Sequence, residues 1–71
     1  MEQLKKRFLR FREEHPVLGD VIIFSMAVEG QGFPKELIQR AYNKLVSKEE
    51  YEQDEKKEII EGLVNYSQKP L

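Results

Sequence analysis

Residues 21–28 read VIIFSMAV, eight positions with one hydroxyl and no charge. No other stretch of the 71-residue chain is as apolar, so any core must be built around this one. The run is far short of the ~20 residues that cross a bilayer as a helix, so no membrane span is expected. Its β-branched residues suit a strand by propensity. A strand must also pair its backbone N–H and C=O groups, and no other segment reads as a strand that could pair with it. Only pairing between two chains would rescue that arrangement. The expectation is therefore a helix over residues 17–29, apolar on nearly every side, as the central helix of a small bundle is.

The flanking segments carry helical spacing. In residues 2–14, Leu4, Phe8 and Phe11 fall at i, i+4 and i+7 and form one stripe, which Met1 extends. Leu9 points about 100° away from Phe8. Pro16 ends this helix, because the residue before a proline avoids the α region. After Gly30 and Gly32, Pro34 suits the first position of a third helix, and Glu36 suits the positive end of its dipole. Leu37, Ile38, Ala41, Tyr42, Leu45 and Val46 fill about 180° of its circumference, and Glu36, Gln39, Arg40, Asn43 and Lys44 fill the other half. Ser47 with Glu50 forms a capping box. A short turn at residues 48–52 and a helix over residues 55–66 follow, with Asp54 as cap and Ile59, Ile60, Leu63 and Val64 on its core side. The tail SQKPL is expected to fray, residues 68–71 above all. The fold class is all-α: one domain over residues 1–71, a bundle of three to five short helices with a helix-turn-helix-like hairpin.

A chain of this length buries only ~60% of the surface its unfolded form exposes. It has no cysteine and one histidine, His15, so neither disulfides nor a histidine-based metal cluster can support it. Self-association is the natural remedy, and a homodimer is one expectation. The missing cysteines and the absence of a secretory pattern fit a cytoplasmic protein. Net charge is −1, but residues 1–15 carry five basic and three acidic side chains, and residues 47–71 carry four and seven. A basic head and an acidic tail steer partners or pair with each other.

The stretch EGQGFPKELIQRAYNKLV, residues 29–46, is the most suggestive. Gly30 and Gly32 allow positive φ in a turn, and Phe33 can fold back as an anchor. It resembles the helix-turn-helix family: Ala27 is the small residue of the supporting helix, Gly32 sits in the turn and Phe33 is the apolar residue after it. Ile38 and Ala41 match the buried positions of the next helix. Val28 stands where the family usually has something smaller, and Gln31 replaces an apolar residue. The resemblance covers about a third of the chain and implies a second helix offered to the major groove of DNA. Gln39, Arg40 and Asn43 have the chemistry for base edges, and Lys35 and Lys44 suit phosphates.

The stretch KKRFLRFR adds Lys5, Lys6, Arg7, Arg10 and Arg12 as further phosphate candidates. Its phenylalanines could stack on single-stranded bases, but their spacing matches the core stripe better. The same patch could dock on an acidic partner. His15, beside Pro16, reads as a corner residue. Ser25 and Ser47 have no histidine nearby in sequence, and the carboxylates cluster in solvated stretches, so catalysis, a cofactor and a small-molecule substrate are not expected. Two readings stand: a DNA-binding protein, and a non-catalytic protein-interaction module or homodimeric adaptor using the charged ends.

Overall fold

The computed structural model describes residues 2–46 and 51–69. It contains four helices: α1 (Glu2–Glu14), α2 (Asp20–Val28), α3 (Lys35–Leu45) and α4 (Gln53–Gln68), and no strand among the described residues. Met1, the capping box of Ser47 and Glu50, residues 48–50 of the expected turn, and the last two residues lie outside the described residues. None of the helices is long and apolar enough to cross a membrane.

The apolar run forms the helix on which the others pack, but they cover only one side of it, and Ile22 stays 53% exposed instead of being enclosed as a central helix would be. α2 packs against α1, α3 and α4, and Ile23, Phe24, Ala27 and Val28 are buried. The single hydroxyl of the run is satisfied locally, Ser25 Oγ donating to the Ile22 carbonyl at 2.6 Å. Leu4 and Phe8 of α1, Ile38, Ala41 and Tyr42 of α3, and Ile60 and Leu63 of α4 complete one core. Phe24 sits between two rings, 6.1 Å from Phe8 and 5.8 Å from Tyr42 by centroid, the latter edge-on. Such tilted pairs add to the burial of their area because ring edges and faces carry opposite partial charge.

Several boundaries differ from expectation. α2 begins at Asp20, not residue 17, and Val17 is 92% exposed. The Leu18 N–H closes a turn onto the His15 carbonyl at 3.2 Å, and Gly19 then enters the helix extended, with Asp20 at the positive end of the dipole. Pro34 is the residue before α3 rather than its first position, with extended ψ. α4 begins at Gln53, so Asp54 lies inside the first turn instead of capping it. It also runs through Gln68, and Ser67 of the expected frayed tail is 1% exposed.

The α2–α3 connection spans six residues, 29–34, where a compact helix-turn-helix uses about three or four. Both of its glycines have positive φ, 67° at Gly30 and 69° at Gly32. The end of α4 holds it in place: Gly30 N–H donates to the Tyr66 carbonyl at 3.2 Å and Gly32 N–H to the Ser67 carbonyl at 2.8 Å. Ser67 Oγ accepts from Phe33 N–H at 2.9 Å, and Gln68 Nε2 donates to the Phe33 carbonyl at 3.0 Å. Helix ends leave carbonyls without intrahelical donors, and the glycine turn supplies donors to these. A methyl group on Gly32 would touch nothing within 4 Å, so replacing it by alanine is opposed by backbone conformation alone. Gly32→Ala should therefore cost about 1–2 kcal/mol, read as a lower urea midpoint with unchanged helix content.

Candidate nucleic-acid interface

α3 buries Ile38, Ala41 and Tyr42, and its other half faces solvent, with Glu36, Gln39, Arg40, Asn43 and Lys44 all exposed. The division follows from the 3.6-residue period alone, since the three buried residues and the five polar ones occupy opposite arcs. Lys35 opens the helix and is exposed as well. The base-contact candidates Gln39, Arg40 and Asn43 thus share one uncovered surface with the phosphate candidates Lys35 and Lys44.

α4 runs beside α3 and makes part of that surface one wall of a groove of about 560 Å³. Lys35, Gln39 and Asn43 line it from α3; Gln53, Asp54, Lys56, Lys57, Ile60 and Glu61 line it from α4. The groove therefore brings three lysines and three carboxamides together, opposed by two carboxylates. Sequence reasoning passes over Lys56 and Lys57, because the stretch EQDEKKE reads as a solvated acidic run. A signal is present: they precede the buried Ile60 by four and three residues, which places them along the seam α4 makes with its neighbour. Arg40 and Lys44 are not among the groove's lining residues and lie further round α3.

The basic head divides into two sets. Lys5, Lys6 and Arg10 are exposed, whereas Arg7 and Arg12 are half-buried. Arg7 Nε donates to the Ala27 carbonyl at 2.8 Å, which places a cation at the C-terminal end of α2. α2 has no basic residue in its own last turn, so α1 supplies the charge its dipole favours. The guanidinium carbons of Arg7 and Arg10 lie 5.5 Å and 5.0 Å from the Phe11 ring centroid, and that of Arg12 lies 5.8 Å from the Phe8 centroid. These are cation–π distances. The head is thus in part a structural clasp, and Phe8, fully buried, has no face to offer a base.

At the same end of α2, the Tyr66 hydroxyl hydrogen-bonds Glu29, the residue that caps the helix. That bond, then desolvation, then the carboxylate's charge raise the phenol's pKa above its ordinary value. Comparison of the chain with protein-family models, with curated proteins and with solved structures found no match.

Proposed function

We propose that the chain binds duplex DNA through the exposed face of α3. The observation that carries this reading is the exposed set Gln39, Arg40, Asn43 and Lys44, of which Gln39 and Asn43 line a groove that also holds Lys35, Lys56 and Lys57. Arginine and asparagine can each make bidentate bonds to base edges in the major groove, which is wide enough to admit a helix. The lysines set position on the backbone without reading sequence. Glu36, Asp54 and Glu61 lie on or beside the same surface and repel phosphate. The expected affinity for random duplex is accordingly that of non-specific binders, a Kd of roughly 10⁻⁴–10⁻⁶ M at physiological salt.

Titration of labelled duplex at two salt concentrations tests the reading. Association should weaken steeply as salt rises, because each neutralised phosphate releases counterions. Changing Lys35, Lys56 and Lys57 to glutamine should weaken binding evenly across sequences and lower the salt slope by about one for each phosphate left without its lysine. Arg40→Ala with Asn43→Ala should cost about tenfold or more on a preferred site and leave helix content unchanged, since both side chains are exposed. No association at low salt rejects the proposal.

A further inference from the structure

Gly62 lies near the middle of the 16-residue helix α4 and is exposed. A methyl group placed on it would meet no heavy atom within 4 Å, and its φ is not positive. Neither packing inside the chain nor backbone conformation calls for glycine there, yet glycine weakens a helix interior relative to alanine. What glycine does offer is close approach by another backbone from outside. Its surroundings suit such an approach. Ile59 and Tyr66, one turn to either side of Gly62, form a shallow apolar groove with Val21 and Ser25 of α2. Tyr66 is 38% exposed and Ile22, next to Val21, is 53% exposed.

Two charges on this face, Glu55 and Lys69, suit a second copy of the same face as its occupant, with the exposed Glu58 beside them one turn from Gly62. Glu55, in the first turn of α4, and Lys69, the residue that caps its end, lie seven residues before and after Gly62, about two turns away, and both are exposed. A second α4 laid antiparallel across Gly62 sets each Glu55 against Lys69 of the partner subunit, so one two-fold axis makes two ion pairs. Antiparallel helix dipoles favour the same orientation. A surface that complements itself under a two-fold rotation is what an isologous contact requires. The chain is also of a size at which burial within one copy is marginal.

We infer that two copies of this chain pair through α4, antiparallel and crossing at Gly62, with Ile59, Tyr66 and Val21 buried at the contact. The inference stands apart from the DNA reading, because Gln39 and Arg40 lie on α3; either can fail while the other holds. Sedimentation of the full chain tests it. The wild type is expected at twice the 8.4 kDa chain mass, and Gly62→Leu at the mass of one chain with its helix content kept. Leucine is the better helix former, so the loss of mass cannot be assigned to a broken helix. Glu55→Lys should weaken pairing, and adding Lys69→Glu should restore it. Gly62→Leu should weaken association by about tenfold or more, as overpacking at a close crossing does. A wild type that sediments as a single chain at millimolar concentration overturns the inference. So does a dimer indifferent to both Gly62→Leu and Glu55→Lys.

Discussion

Phe24→Ala should abolish most of the stability of this domain. The ring is fully buried and is the one shared by both aromatic pairs, so its removal leaves Phe8 of α1 and Tyr42 of α3 facing a void. Truncating a buried phenylalanine costs about 3–5 kcal/mol, the lost transfer of the ring plus the cavity it leaves. A chain of this length holds only ~4–11 kcal/mol in total, taking the usual range per residue. The melting temperature should fall by roughly 15–30 °C, given about 4–8 °C for each kcal/mol in a domain of this size. The helix that carries Phe24 cannot compensate: α2, at nine residues the shortest of the four, is too short to persist without its neighbours. Val17→Ala is the control, since that side chain is 92% exposed and should change stability by less than about 0.5 kcal/mol. A thermal scan followed by circular dichroism reads both. If Phe24→Ala melts within a few degrees of the wild type, the three rings do not form the centre of the core.

That the core is built on residues 21–28 is legible in the sequence because no other stretch is as apolar, although which side of the run is buried, and that Ile22 is left exposed, is not. The face of α3 is equally legible: a clean 3.6-residue period separates Ile38, Ala41 and Tyr42 from Gln39, Arg40 and Asn43 whatever else the chain does. What escapes are the features that depend on two distant segments meeting. Lys56 and Lys57 belong to the α3 groove only because α4 lies beside α3, and local composition marks them as part of an acidic solvated stretch. Arg7 reads as one more cation in a basic head, and its bond to Ala27, twenty residues away, becomes visible only in three dimensions. The start of α2 is misplaced when apolar content is weighed above turn chemistry. Val17 and Leu18 are apolar, but the turn after Pro16 and the extended Gly19 delay the helix to Asp20. The largest discrepancy concerns the tail. A polar serine near a terminus reads as fraying chain, yet Ser67 is buried and its hydroxyl, with the Gln68 amide, hydrogen-bonds Phe33 of the α2–α3 connection.

Ser67→Ala should accordingly destabilise the protein by about 1–3 kcal/mol, far more than an exposed serine near a terminus would. Its Oγ is the acceptor of the Phe33 N–H, and Phe33 is itself buried, so the alanine variant leaves that donor without a partner away from water. The backbone carbonyl of Ser67, which accepts from Gly32 N–H, is unaffected. The loss should therefore be local in character. Amide exchange at Phe33 should speed up more than at the core positions of α2, because the connection opens in a smaller unit than the whole fold. Ser67→Thr, which keeps the hydroxyl, separates this effect from simple sensitivity of the position to substitution. Gln68→Ala offers a graded comparison. It removes a bond to the Phe33 carbonyl from an exposed side chain, and water can replace that donor, so the cost should fall near or below about 1 kcal/mol. The connection ends one residue before α3 begins, so the clamp sets where that helix starts. If the exposed face of α3 binds DNA, Ser67→Ala should weaken binding under conditions where the variant is still folded, although Ser67 is not among the residues lining the groove. Unchanged stability in Ser67→Ala would mean that the four hydrogen bonds between α4 and residues 30–33 follow from the packing of Phe33 rather than hold the connection in place.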